Sequence, residues 1–361
     1  MQMRTTMKEL KNNKIVLGLS GGVDSTTAAL LLQEKGYEVV GFYFDVLGNN
    51  TEGIEDARKV ADSLGIEFIS KDVSRDFETI VIDNFCKEYS KGRTPNPCII
   101  CNPNIKFKEL IRVADSVGAA YIATGHYARI SKDEETGKYF VRKGVSEKKD
   151  QSYMLYRLGQ DVLSRLIFPL GDIENKEETR ELAREKHLIN ADKKDSQEIC
   201  FIDEKKEDYV QFIQKKGFAP QKGNFVDSEG NILGKHNGLI NYTIGQRKGL
   251  GITFGKPVFV TKIDQGDNTV TLGDNETLFK KEIKSNNNFF PATSGEEFPE
   301  GYEGKNITAK IRYAAKPSPA QIHCCGSSIS SIFEEPQRAA TPGQSIVFYD
   351  GDIVIGGGFI E

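Results

Sequence analysis

No apolar run in these 361 residues is long enough to cross a membrane, and no leader or lipid-attachment motif is evident. A spanning helix needs about 20 apolar residues, so membrane-spanning classes are excluded and the cytoplasm is the expected compartment. Positive charge is not in excess either: 48 lysines and arginines against 52 acidic residues leave a net charge of −4. That excludes a wholly basic nucleic-acid binder, and any polyanion must be held by local patches. Cysteine is sparse. Six in a chain of this length do not make a disulfide framework, which leaves catalysis, metal ligation or simple burial. Internal repeats and low-complexity segments are absent, and the length predicts about two to three domains. The polar opening, Met1 to Asn12, is expected to fray.

What the chain does contain is Ser20-Gly21-Gly22-Val23-Asp24-Ser25, set between the apolar run Ile15–Leu19 and a helical pattern from Thr26 to Lys35. A strand that turns through paired glycines into a helix N-terminus can cradle pyrophosphate. The glycines let backbone N–H groups approach the anion, and the helix dipole favours negative charge there. Ser20 and Ser25 can donate to phosphate oxygens, and Asp24 can cap the helix or hold a metal such as Mg2+. The Gly-Lys-Ser/Thr ending of the Walker A loop is missing, which argues against a kinase or GTPase. An ordinary glycine-rich turn with a Ser/Asp cap is the competing reading. The string resembles the PP-loop of the N-type ATP pyrophosphatases, which split ATP between the α and β phosphates and use AMP to activate an oxygen for displacement. The resemblance implies the chemistry and leaves the substrate open.

Residues 14 to about 125 alternate short apolar strands (Tyr37–Phe44, Ile66–Asp72, Ala120–Thr124) with amphipathic helices (Ile54–Leu64, Asp76–Ser90, Phe107–Val117). This alternation predicts an α/β fold with a parallel sheet and the glycine-rich loop at the carboxyl end of its first strand. Tyr127–Val141 reads as a hairpin, and Tyr153–Ile167 and Lys176–Lys186 as helices. After Phe201 the pattern changes to one short helix, Asp208–Lys216, then alternating segments broken by turn pairs such as Glu229-Gly230 and Asp350-Gly351. The expected domains are 1–205, a small β-rich central domain at 206–282, and a C-terminal antiparallel β-barrel at 283–361.

Two further segments carry cysteine chemistry. In Gly92-Arg93-Thr94-Pro95-Asn96-Pro97-Cys98-Ile99-Ile100-Cys101-Asn102, two prolines pin a loop that presents a Cys-x-x-Cys pair. In Lys193-Lys194-Asp195-Ser196-Gln197-Glu198-Ile199-Cys200-Phe201 a cysteine follows two lysines. Nearby cations favour the reactive thiolate. A small buried hydrophobe is the expected role of Cys86 and of the adjacent Cys324 and Cys325.

Here the chain resembles the tRNA-specific 2-thiouridylase family. The matching stretches span Gly18–Ser25, Gly92–Asn102 with Ile105–Phe107, Ala123–Tyr127, Lys149–Tyr153, Lys194–Ile202, Gly245–Gly251, Arg312-Tyr313 and Thr341–Ser345. The resemblance implies a PP-loop pyrophosphatase domain, a small central domain and a β-barrel. The implied substrates are ATP and the tRNA anticodon stem-loop, whose wobble uridine becomes 2-thiouridine, with a cysteine desulfurase or relay protein donating persulfide sulfur. It places Gly18, Leu19, Ser20, Gly21, Gly22, Val23, Asp24, Ser25, Phe44 and Gly125 at ATP. It makes Cys200 the persulfide carrier and Cys101 the second catalytic cysteine, and puts Asn96, Pro97, Cys98, His126, Lys149, Asp150, Gln151, Arg312, Tyr313 and Gln344 at tRNA.

Several of these positions have plainer readings: a satisfied histidine, a helix cap at Lys149–Gln151, a turn residue at Gln344. Alternation along Asn306–Tyr313 puts Lys310 and Arg312 on one face, away from Ile307, Ala309 and Ile311. Two departures from the family stand out. Many members carry Asp at Cys98 and Met at Phe44. With a third thiol, Cys98, Cys101 and Cys200 offer ligands for a 4Fe–4S cluster, an alternative route for sulfur. A small-molecule PP-loop ligase, such as a GMP or argininosuccinate synthetase, has no use for these cysteines. A tRNA-binding module would leave the PP-loop idle.

Overall fold

The computed structural model describes residues 12–186, 199–203, 205–252 and 255–361. In chain order the elements begin with β1 (Lys14–Gly18), α1 (Val23–Glu34), β2 (Glu38–Asp45), α2 (Thr51–Leu64) and β3 (Glu67–Asp72). Next come α3 (Ser74–Phe77) and α4 (Asp83–Ser90), joined by a π-helical turn over Glu78–Ile82. They are followed by α5 (Pro97–Cys101), a second π turn over Asn102–Lys106, α6 (Phe107–Ser116), β4 (Tyr121–Ala123), β5 (Ala128–Lys132) and β6 (Tyr139–Lys143). After α7 (Gln160–Leu163), β7 (Leu166–Ile167), α8 (Lys176–Glu185) and α9 (Tyr209–Lys215), the chain continues through ten strands.

The chain falls into two compact units that interleave in sequence. The first gathers residues 12–75, 104–152 and 161–186; the second gathers 76–103, 153–160 and the described residues from 199 onward.

The first unit holds a parallel sheet in the order β3-β2-β1-β4-β7. Ile15, Val16 and Leu17 are fully buried, as expected of a central parallel strand covered on both faces. The order reverses direction on either side of β1, so the crevice at the ends of β1 and β4 is the topological switch point where α/β sheets bind ligands. Helix α2 starts at Asn50, whose side chain accepts from the Gly53 N–H, and ends at Gly65 in the left-handed region. Its buried Ala57, Val60 and Ala61 join the core cluster that also contains Leu17, Leu19, Ala28 and Leu32. The expected hairpin is β5–β6.

The second unit carries two β assemblies. In the smaller, β8 (Gly223–Val226), β9 (Ile232–His236), β10 (Phe259–Asp264) and β11 (Thr269–Gly273) pair in the order β10-β11-β8-β9. Phe225, Tyr242, Val260 and Val270 lie at its core. The larger comprises β12 (Phe279–Phe289), β13 (Asn306–Lys310), β14 (Ser318–Cys325), β15 (Ser328–Arg338), β16 (Ser345–Asp350) and β17 (Ile353–Ile360). These run β12-β15-β14-β13-β16-β17, and antiparallel pairing of β12 with β17 closes a six-stranded barrel. Phe290, Phe333 and Phe348 fill it, all fully buried.

One expected element is absent. Residues 153–167 do not form a helix: the segment is a 3-10 turn (Ser152–Leu155), the short α7 and the strand β7. Tertiary contacts override the local pattern. Tyr153 and Tyr156 are fully buried, with their hydroxyls on Ser345, and β7 pairs with β4.

Candidate active site

In the first unit, β1 ends at Gly18 and the chain turns through Ser20–Gly22 into α1. Gly21 adopts φ +71°, a conformation that residues with side chains rarely take. The loop is held by its own hydroxyls. Ser25 Oγ accepts from the Ser20 N–H at 3.2 Å and donates to the Gly22 carbonyl at 3.1 Å, while the two serine hydroxyls lie 3.2 Å apart. The N-cap of α1 is Gly22, with no side chain capping the helix, an arrangement suited to an anion. Asp24 therefore does not act as the cap. Its Oδ1 instead accepts from the Tyr127 hydroxyl at 2.7 Å and pairs with the Lys176 ammonium. Tyr127 also shares a hydrogen bond with Thr179 Oγ1 at 2.9 Å.

Gly125 backs directly onto this loop. A Cβ there would stand 3.0 Å from the Asp24 carbonyl carbon and 3.1 Å from the Ser25 nitrogen, so any side chain would push the cradle away. A Cβ on Gly18 would stand 3.3 Å from the Phe44 ring. The structure thus gathers Gly18 to Ser25, Phe44 and Gly125 at one crevice.

The cysteines belong to the second unit. Pro97 opens α5, and Asn96 Oδ1 accepts from the Cys98 N–H at 3.1 Å. Cys98 is exposed and Cys101 half-buried. Upstream, the Thr94 N–H donates to the Pro342 carbonyl at 2.8 Å and the Arg93 guanidinium donates to the Ile360 carbonyl at 3.1 Å. Gln344 donates to the Thr94 carbonyl at 2.7 Å, and the Thr94 and Thr243 hydroxyls lie 3.2 Å apart. Cys200 is exposed, whereas its neighbour Phe201 is buried edge-on against Phe77 and Phe85 and beside Phe212. Helix α5 packs on the π turn between Phe77 and Phe85. Both cysteine segments therefore hang on the same long helix. The run Lys193–Glu198, with its two lysines, lies outside the described residues.

Among the described residues, which include all six cysteines, no three His, Cys, Asp or Glu side chains are grouped to hold a metal ion. Cys98, Cys101 and Cys200 are not grouped in this way. Cys86 is buried as expected, and burial pushes its thiol up to about 11. Cys324 and Cys325 are not buried: they sit exposed at the end of β14, beside the β14–β15 hairpin turn.

The residues assigned to tRNA fall into two groups. Asp150 is buried, and its carboxylate accepts from the Gly144 N–H and from the N–H and hydroxyl of Ser152. Gln151 accepts from the Tyr127 N–H at 2.9 Å. These two close a loop, and Lys149 beside them is half-buried. His126 stacks on Phe107, and its Nδ1 lies 2.6 Å from the Thr124 hydroxyl. Burial, reinforced by the Lys106 cation, pushes its pKa well below the usual histidine value and keeps the ring neutral at pH 7. Arg312 is exposed, and Tyr313 lies 6.3 Å from Tyr153, ring to ring. Lys310 does not share a solvated face with Arg312: it is buried, with its ammonium 5.8 Å from the Tyr153 ring and 5.7 Å from the Tyr313 ring.

Sequence reasoning missed Lys176, Tyr127 and Thr179 around Asp24. No local pattern joins residues this far apart in the chain.

A parallel sheet with an uncapped, glycine-turned helix at its switch point, followed by two β domains, defines an ATP-using enzyme of the PP-loop class. Family models match along the chain: a tRNA methyl transferase HUP domain over residues 13–204, a tRNA methyl transferase PRC-barrel domain over 210–274, and an aminomethyltransferase β-barrel domain over 293–360. The tRNA-specific 2-thiouridylase MnmA of Clostridioides difficile is 49% identical over 97% of this chain and 98% of its own length. The enzyme of the same name from Clostridium acetobutylicum is 49% identical over 97% of this chain and 100% of its own. The chain belongs to the tRNA-specific 2-thiouridylase family. The words "methyl transferase" describe domain models, whereas the thiouridylases align over nearly the whole chain, so they decide the family. Among solved structures, the U34-tRNA thiolase NcsA of Methanococcus maripaludis with its [4Fe-4S] cluster matches at 24% identity and TM-score 0.36. It covers 57% of this chain and 66% of its own, a likeness too loose to bear on a cluster here.

Proposed function

We propose that this protein is an ATP-dependent tRNA sulfurtransferase that converts the wobble uridine of anticodons to 2-thiouridine through a persulfide on Cys200. The observation that carries this reading is the near-full-length identity to 2-thiouridylases in a chain that keeps both the PP-loop and the Cys101/Cys200 pair. The 2-carbonyl oxygen of uracil is a poor leaving group. It attacks the α phosphorus of ATP, pyrophosphate departs, and the oxygen now leaves as part of AMP. The terminal sulfur of the Cys200 persulfide attacks C2 and expels AMP. Cys101 thiolate then attacks the Cys200 sulfur and breaks the S–S bond, whose electrons stay on the sulfur at C2. The products are 2-thiouridine and a Cys101–Cys200 disulfide, which a cellular thiol reductant must reopen.

The PP-loop serines and the N-terminus of α1 bind the phosphates, with Phe44 and Gly125 on the same crevice. Mg2+ fits here: the Asp24 carboxylate, whose Oδ1 accepts from Tyr127 and pairs with Lys176, is an oxygen donor of the kind this ion takes and would hold it. Bound there, the metal would neutralise phosphate charge. Arg312 and Tyr313, exposed or half-buried, suit contact with RNA backbone or a base. Asp150 and Gln151 close their own loop, and Gln151 holds the backbone of Tyr127 beside His126. The reading also places the protein in the cytoplasm, supplied by a persulfide-forming desulfurase or relay protein. Domain limits near 205 and 282 are part of the same reading; the matched models end at 204 and resume at 210, and end at 274 and resume at 293.

The test is nucleoside mass spectrometry of unmodified tRNA incubated with the protein, ATP and a persulfide donor. The expected result is 2-thiouridine with stoichiometric AMP; absence of the thiolated nucleoside under reducing, ATP-replete conditions refutes it.

A further inference from the structure

The PP-loop lacks the lysine that ends a Walker A loop, and it carries a carboxylate, Asp24, in the first turn of the helix meant to receive an anion. An unpaired carboxylate there would repel phosphate. The structure supplies the missing cation from the other end of the same unit. Lys176, the first residue of α8, has a side chain only 10% exposed and sets its ammonium on Asp24 Oδ1, beside the Tyr127 ring at 6.0 Å. Asp24 itself is 33% exposed, so the carboxylate is the more accessible member of the pair. The Tyr127 hydroxyl bridges Asp24 to Thr179 on α8, and Thr27 of α1 reaches the Thr179 carbonyl. These contacts fix the start of α8 against the start of α1.

We propose that Lys176 is the pyrophosphate-binding cation of this ATP site, passing from Asp24 to the β and γ phosphates when nucleotide enters. The inference rests on the reading of the loop as an ATP site. A covered ammonium already held on a carboxylate is positioned before ligand arrives, so little side-chain entropy is lost on binding. A buried pair also explains how Asp24 stands in an anion cradle: in the empty site its charge is cancelled, and in the filled site it turns to the metal.

Binding of ATP, AMP and inorganic pyrophosphate to the full chain, measured by calorimetry, tests this. Loss of one charge-assisted contact predicts that Lys176→Met weakens ATP and pyrophosphate about 10- to 100-fold and leaves AMP within about twofold. Lys176→Arg retains most of the affinity. The double variant Asp24→Asn/Lys176→Met removes the stranded carboxylate and so keeps the unit folded, and it remains weak for ATP and pyrophosphate. Restoration of wild-type affinity in the double variant would overturn the proposal, since Lys176 would then only neutralise Asp24. Equal weakening of AMP and ATP, or no weakening of either, would also overturn it. Failure of the wild-type chain to bind ATP is a different result and would refute the ATP-site reading itself.

Discussion

Gln344, in the turn before the last two barrel strands, donates its side-chain amide to the carbonyl of Thr94, 250 residues earlier and four before Cys98. With the Thr94 N–H on Pro342 and the Arg93 guanidinium on Ile360, this bond makes the barrel the anchor of the cysteine loop. An amide already engaged in this way has a positioning task. Gln344→Ala should cost about 1 kcal/mol and loosen the loop. Single-turnover thiolation should fall several-fold while tRNA affinity, from filter binding, stays within about twofold. A large affinity loss with intact turnover would assign the amide to RNA instead.

Asp150 and Arg312 should separate cleanly. Asp150→Ala strands the Gly144 and Ser152 N–H groups in a buried loop and should lower stability by about 1–3 kcal/mol, seen as an earlier thermal transition. Arg312 is exposed, so Arg312→Ala should leave the transition unchanged and weaken tRNA several-fold. The salt slope of binding should also decrease by about 0.7 to 0.9 if that guanidinium meets one phosphate.

His126 sets an acid limit. Its pKa is depressed in the folded chain, so below about pH 6.5 the unfolded state takes up a proton that the folded state refuses. The stability contributed by the neutral ring is complete above that range and is lost as pH falls through it. His126→Gln should flatten the pH dependence of the melting temperature between about pH 6.5 and 5. A variant whose melting curve keeps the wild-type pH slope would contradict this.

The cysteines should fall into four classes. Cys101→Ser and Cys200→Ser should each abolish thiolation, whereas Cys98→Asp should retain much of it and the purified protein should be colourless and iron-free. If Cys98→Ser were as damaging as the other two, with iron present, a cluster would be restored as the sulfur carrier. Cys86, buried with a thiol pushed up to about 11, should resist alkylation at pH 8 while Cys324 and Cys325 label readily.

The phosphate cradle was legible because strand, glycines and helix adjoin in sequence, and a buried parallel strand such as Ile15–Leu17 announces itself by composition. What the sequence concealed depends on distant partners. Tyr153–Ile167 has a helical pattern, yet the barrel claims its tyrosines and β4 claims its end. Alternation put Lys310 in solvent, but two tyrosine rings make a covered site for its cation. Lys176 gives no local sign of its role, since only the packing of α8 on α1 brings it to Asp24.

The interleaving of the two units has a consequence for how this enzyme can be divided. The family model treats residues 13–204 as one domain, yet Asp76–Pro103, with Cys98 and Cys101, coheres with the β assemblies. A fragment cut after residue 204 would retain the glycine-turned loop and lose the barrel partners of Arg93 and Thr94 that support the cysteine segment. The Cys98–Cys101 segment is bound to the architecture of the carboxyl-terminal half and would have to travel with it.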